Sequence, residues 1–226
     1  MSNTALVQRY EVLVFDLDGT LVDSAGDISR TLSLSLVDCG LPPLATGARL
    51  ADLFSPLPEI VQSVLTLRGE ITVNAQEVVV AYHRRQKSPS YGASALYPGV
   101  SGFLLACQQR GHRMAVCTNK VQAQAVHLLH HFGLLDYFTD VIGGDTAATA
   151  KPSAAPLLLT LERLTATPAQ ALMFGDTHVD AICAHQSQVD FVWHRNGYGG
   201  DEVLLHPVAA SFDSFVELHN SICTPD

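Results

Sequence analysis

Four short polar stretches each follow an apolar run, and their residue types are those of acid, base and cation chemistry. The first is Asp16-Leu-Asp-Gly-Thr20, directly after Val12-Leu-Val-Phe15. Side chains two apart on extended backbone share a side, so Asp16 and Asp18 leave the strand end together. Two carboxylates forced together repel unless a cation or a shared proton lies between them. A bare Asp-x-Asp reads equally well as a polar turn, and the rest of the chain decides against that reading. Thr118-Asn119 ends the run Met114–Thr118. Gly143, Gly144 and Asp145 follow the next run, and Lys151-Pro152 is expected to open the helix after it. Gly175-Asp176-Thr-His-Val-Asp180 ends Ala171–Phe174 and supplies two more carboxylates. Four successive strands that each terminate in a polar residue able to reach one point make a convergent site.

The elements that must position these residues are legible from periodicity. Apolar runs rich in strand formers occur at Val12–Phe15, Met114–Thr118, Val141–Gly143, Ala171–Phe174 and Val189–Trp193, each reading as a strand buried on both faces. Between them, Val121, Ala125, Leu128, Leu129 and Phe132 fall on one helical face ahead of Gly133, and Val100, Phe103, Leu104 and Cys107 do so ahead of Gly111. Alternating strands and helices imply a Rossmann-like α/β fold, a parallel sheet with helices on both faces. One connection breaks the rule, because Asp16 and Met114 are about a hundred residues apart where a crossover needs about a dozen. The stretch between them has helical pattern only. Ser24 with Asp27 is a capping signal for a helix carrying Ile28, Leu32 and Leu36, and Leu57–Leu67 and Ala75–Lys87 look like further helices. The expected organisation is a core of residues 1–21 and 96–226 with an all-helical domain, 22–95, inserted above the carboxyl ends of the strands, where open α/β sheets bind ligands.

Composition narrows the partners. The 226 residues are 47% hydrophobic and 15% charged with a formal charge of −9, which excludes disordered, collagen-like and coiled-coil classes. An acidic balance without a block of Lys and Arg argues against nucleic acid or an anionic membrane as partner. The N-terminus carries neither a signal-peptide pattern nor a membrane-length apolar run, so a cytoplasmic location is expected. Five cysteines without Cys-x-x-Cys spacing signal neither a disulfide framework nor a zinc knuckle.

The ordered set Asp16-Leu-Asp-Gly-Thr20, Thr118-Asn119, Lys151-Pro152 and Gly175-Asp176 with Asp180 resembles the haloacid dehalogenase-like superfamily of phosphohydrolases. The helical insertion between the first two motifs is placed like that superfamily's first cap type. Val22-Asp23-Ser24, Gly40-Leu41-Pro42 and Trp193-His-Arg-Asn-Gly-Tyr-Gly199 also resemble its phosphoglycolate phosphatase branch. The resemblance implies a Mg²⁺-dependent phosphatase acting on a small phosphorylated metabolite, phosphoglycolate being the best single choice. Asp16 would be the nucleophile that forms an aspartyl phosphate, and Asp18 the acid and then the base. Mg²⁺ would be held by Asp16, the Asp18 carbonyl and Asp176 with Asp180 in support. Thr118 and the Asn119 amide would hold phosphoryl oxygens, and Lys151 would stabilise charge on the transferring group. Arg49, near where the cap of this branch meets substrate, is a candidate substrate contact. The stretch after Arg49 lacks a glycine that the branch often carries, and Val179 stands where relatives commonly have Asn.

Rival readings remain on the same residues. A phosphomutase would share the core, a phosphonatase would need a cap lysine, for which Lys87 is the candidate, and a non-catalytic binding protein would need neither nucleophile nor acid. His127 and His131 have a zinc-like spacing but lie off the apolar stripe and read as a solvated helix face. The His83–Lys87 run reads as a solvated helix end, and His178 as a loop residue that orients the fourth motif. A lid motion, with hinges near 21–24 and 95–98, is expected from the need to exclude and then admit water. The protein would be a monomer or homodimer.

Overall fold

The computed structural model of the chain describes residues 6–45, 50, 53, 55–70 and 73–223. Arg49 lies outside them. The chain divides into two compact units, Met1–Asp23 with Leu96–Asp226, and Ser24–Ala95.

The larger unit is built on β1 (Val12–Phe15), β4 (Arg113–Cys117), β5 (Asp140–Ile142), β6 (Ala171–Gly175), β7 (Asp190–His194) and β8 (Ala210–Phe212). They form one sheet in the order β5-β4-β1-β6-β7-β8, and every pairing is parallel. The strand β1 is buried along its whole length, as a central strand covered on both faces must be. Alternate residues serve opposite faces. Val12 and Val14 join Leu157 and Leu161 of helix α6 (Ala155–Arg163) and Ala181 and Ala184 of α7 (His178–Gln186). Phe15 on the other face meets Phe103 of α4 (Val100–Gln109) edge-on at 6.3 Å and stacks on Phe174 at 4.8 Å, while Phe103 reaches Phe215 of α8 (Phe215–Cys223) at 5.4 Å. The fold is therefore the Rossmann-like α/β arrangement. Order in the sheet reverses about β1, so β1 and its neighbours β4 and β6 deliver their carboxyl ends to one crevice.

Two departures from expectation have local causes. Strand β8 carries no buried apolar run long enough to be read from sequence, because it is a three-residue edge strand only half covered, whereas α8 sets Phe215, Leu218 and Ile222 on one buried face. Lys151-Pro152 does not open a helix. The Asn119 side chain accepts from the Lys151 amide at 2.9 Å and donates to its carbonyl at 3.1 Å, which holds Lys151-Pro152 in a turn ahead of α6, and the helix starts only at Ala155.

The smaller unit holds α1 (Ala25–Asp38), α2 (Leu57–Leu67) and α3 (Ala75–Arg85) around Leu32, Leu36, Ile60, Val61, Leu65, Val78 and Tyr82. Ser24 precedes α1 as expected but makes no side-chain cap bond. Asp27 instead turns inward and accepts from Ser94 Oγ at 2.6 Å and the Ala93 amide at 3.0 Å, tying the return segment to the first turn of α1. Arg85, in the basic run at the end of α3, forms a two-pronged ion pair with Asp38 at 2.6 and 2.7 Å, and Lys87 is exposed. The short strands β2 (Val22–Asp23) and β3 (Ala95–Leu96) pair where the chain leaves and re-enters the larger unit. No helix among the described residues is long and apolar enough to cross a membrane.

Candidate active site

The turn after β1 is closed by the Leu17 carbonyl, which accepts from the amides of Leu21 and Val22 at 3.0 Å. Gly19 within it has φ +89°, a left-handed conformation that a side chain resists, and a Cβ there would lie 2.3 Å from Asp176 Oδ2. The tight turn brings the first motif against the end of β6.

Asp16, Asp176 and Asp180 meet there, all buried, with one carboxylate oxygen from each lying within 4.8 Å of the others. Lys151 is equally buried and donates to Asp16 Oδ1 at 2.7 Å and Asp180 Oδ1 at 2.6 Å. Asp180 also closes the N-terminus of α7, its Oδ2 accepting from Thr177 Oγ1 at 2.7 Å and the Thr177 amide at 3.1 Å. Asp176 accepts from Thr20 Oγ1 at 2.8 Å and the Tyr198 amide at 2.7 Å.

One ammonium among three buried carboxylates leaves an excess of negative charge in a low-dielectric site. Burial pushes Asp16 up to about 7, Lys151 pulling it down and Asp180 adding to the rise. Burial, then Asp180 and Asp16, hold Asp176 well above the carboxylate range, with the Tyr198 amide and Thr20 acting in the other direction. For Lys151, burial alone would favour the neutral amine, but Asp16 and Asp180 outweigh it and keep the ammonium charged. Three clustered hard oxygen donors with uncompensated charge suit a divalent metal cation.

The remaining expected residues divide. Thr118 is buried at the end of β4, and its Oγ1 accepts from the Lys120 amide at 3.2 Å. The Asn119 side chain is spent on the Lys151 backbone, so this residue sets where the lysine starts. Asp18 is not joined to the three-acid cluster; its two oxygens take Lys120 Nζ at 2.8 and 2.9 Å. His178 is the first residue of α7. His127 and His131 are exposed on α5 (Gln122–His131), and the three-acid group is the metal-competent cluster found among the described residues.

Sequence reasoning assigned no role to Lys120, Thr20 or Tyr198, although Thr20 and Tyr198 stand in stretches it singled out. Lys120 directly follows Thr118-Asn119, a signal that could have pointed to it. Tyr198, whose contribution is a backbone amide, leaves no residue-type signal.

A Rossmann-like core that gathers this cluster at the carboxyl ends of its strands is an α/β arrangement able to hold a cation against buried carboxylates. The family model described as haloacid dehalogenase-like hydrolase matches residues 13–194, and the chain belongs to that family. It is 34% identical over 206 residues to a plasmid-encoded phosphoglycolate phosphatase of Cupriavidus necator, covering 91% of this chain and 88% of that one. A phosphoglycolate phosphatase of Rhodospirillum rubrum is 34% identical over 215 residues, 92% and 89% of the two chains. In fold it is similar to a Haemophilus somnus structure described as a predicted phosphoglycolate phosphatase, with a TM-score of 0.82, 24% identity and coverage of 94% and 97%.

Proposed function

We propose that the protein is a Mg²⁺-dependent phosphatase that hydrolyses a small phosphorylated metabolite, with phosphoglycolate as its substrate. The observation that carries the reading is that Lys151 pairs with Asp16 at 2.7 Å and Asp180 at 2.6 Å while Asp16, Asp176 and Asp180 lie within one cation's reach. Relatives named phosphoglycolate phosphatase, 34% identical over most of the chain, support the substrate.

Asp16, Asp176 and Asp180 with the Asp18 carbonyl would hold Mg²⁺, which supplies charge neutralisation between an anionic nucleophile and an anionic phosphoryl group. Lys151 orients Asp16 through Oδ1, and the other carboxylate oxygen attacks phosphorus. The bond to the ester oxygen breaks as Asp18 delivers a proton to it. Asp18 then takes a proton from water, whose oxygen displaces Asp16 and releases inorganic phosphate. The Lys120 pair must open for Asp18 to do either. Thr118 Oγ and the Asn119 amide donate to phosphoryl oxygens, and Arg49, outside the described residues, is the candidate for the organic part of the substrate. The helical unit is the part that selects the ester.

Phosphate release from a panel of phosphate esters, with Mg²⁺ and with chelator, tests the reading. Phosphoglycolate is expected to have the highest kcat/KM, and no Mg²⁺-dependent hydrolysis of any ester would overturn it. Asp18→Asn is expected to form phosphoenzyme but lose it slowly, so that acid-quenched, labelled protein accumulates while turnover falls about 10²- to 10⁴-fold.

The acid cluster also predicts a pH dependence. The folded-state pKa of Asp16, about 7, lies above its ordinary 3.8, so its contribution to the stability of metal-free protein is complete below about 4 and is lost as pH rises through about 7. Protons and Mg²⁺ compete for the same oxygens. The gain in Tm on replacing chelator by Mg²⁺ is therefore expected to grow from pH 6 to pH 8; an equal gain at both would contradict the assignment.

A further inference from the structure

The residues that follow Val192 on β7 converge on one residue, Asp176, and on the Gly19 turn beside it. Trp193 donates its indole N–H to the Asp176 carbonyl at 3.1 Å. His194 Nδ1 pairs with the Gly19 carbonyl at 3.1 Å, holding the turn that carries Thr20 to Asp176 Oδ1. The Tyr198 amide donates to Asp176 Oδ2 at 2.7 Å. A Cβ on Gly197 would lie 2.2 Å from Asp176 Cβ, and one on Gly199 2.2 Å from the Asp176 carbonyl oxygen. Neither glycine has a positive φ, so both positions require a missing side chain for space rather than for backbone freedom. The outward side is anchored separately, Arg195 pairing with Asp213 and the Asn196 side chain donating to the Asp213 carbonyl at 2.9 Å.

We infer that Trp193–Gly199 is a positioning element that presets the Asp176 carboxylate for a divalent cation, with the Tyr198 amide and the two glycine surfaces as its working parts. The inference rests on the cation reading of the acid cluster. Each Asp176 oxygen has a second lone pair available once Thr20 and Tyr198 have taken one each. A carboxylate fixed through both oxygens and along its Cβ loses little rotamer freedom when a metal arrives, and this is how groups behind a ligand tune affinity. These residues do not touch the reacting atoms, so their effect belongs in metal affinity.

The chain has a single tryptophan, and its indole is bonded to the residue in question, so Trp193 emission is a direct probe. Titration of the full-length protein with MgCl₂ in the absence of substrate is expected to change that emission saturably, with calorimetry giving the same Kd. Tyr198→Pro removes the amide donor and should weaken Mg²⁺ binding about 10- to 100-fold, the worth of a hydrogen bond to a charged group. Tyr198→Phe keeps that amide and should bind Mg²⁺ as the parent does. Gly197→Ala places a methyl group against Asp176 and should weaken binding in the same direction, which keeps the test decisive if the proline variant does not fold. A merely structural role would lower Tm while leaving the Kd of folded variant protein unchanged, and that result in either Tyr198→Pro or Gly197→Ala overturns the inference alone. A parent protein that binds no Mg²⁺ by calorimetry overturns the cation reading beneath it.

Discussion

Asp16→Asn is expected to abolish phosphate release, with kcat down about 10⁴-fold or more, the scale on which removal of a nucleophile is felt. The substitution is nearly isosteric, and the carboxamide oxygen it introduces can still accept from Lys151 Nζ in place of Asp16 Oδ1. What it removes is the negative oxygen that attacks and one of the three buried charges. Without metal, burial first and then the neighbouring Asp180 carboxylate favour protonated Asp16 against the pull of Lys151, which is why the acid is raised to about 7. The variant has no carboxyl there to ionise, so above pH 7 its metal-free form should be at least as stable as the parent. Its stability should also be flatter between pH 5 and pH 8. Phosphate assays and chelator-buffered denaturation measure both. Near-parental turnover would sink the mechanism, and an unchanged pH profile would sink the charge argument.

Lys151→Met is expected to damage both function and stability. The ammonium is buried between Asp16 and Asp180 at 2.7 and 2.6 Å. Methionine preserves most of the volume but leaves three carboxylates without an internal cation. Removing one partner from a buried ion pair costs about 3–5 kcal/mol, and this should appear in chelator as an earlier urea midpoint. Excess Mg²⁺ should recover part of it, because the cation supplies some of the missing charge. Turnover should fall about 10²- to 10³-fold even with Mg²⁺ saturating, as for loss of a preorganised charge that stabilises the transferring group. An unchanged midpoint in chelator would mean that the lysine is not the counter-charge of the cluster. The two variants thus separate, Asp16→Asn removing activity while sparing the fold and Lys151→Met weakening both.

Much of the fold is legible because burial on both faces of a parallel strand demands an unbroken apolar run. Val12–Phe15 and Ala171–Phe174 have such runs and form β1 and most of β6. An edge strand has no such demand on it, which is why Ala210–Phe212 shows nothing comparable. Capping signals are weaker still, since Asp27 has the spacing to serve Ser24 and binds Ser94 and Ala93 instead. Its partners lie more than sixty residues away in the chain, and no local pattern encodes them.

By itself the sequence determines that acids, a hydroxyl and an amide stand just past successive strand ends, because the apolar runs before them leave those positions as the first that can be polar, and that a lysine lies in the loop after β5. Which of them share a partner is settled by distances between segments remote in sequence. The tertiary structure joins Lys151 to Asp16 and Asp180, gives Asp18 to Lys120, spends the Asn119 side chain on the lysine's backbone and closes two glycines over Asp176. The physical reason is that a strand end sets where a side chain begins, while its ionisation and its partner depend on burial and on charges brought in by other strands.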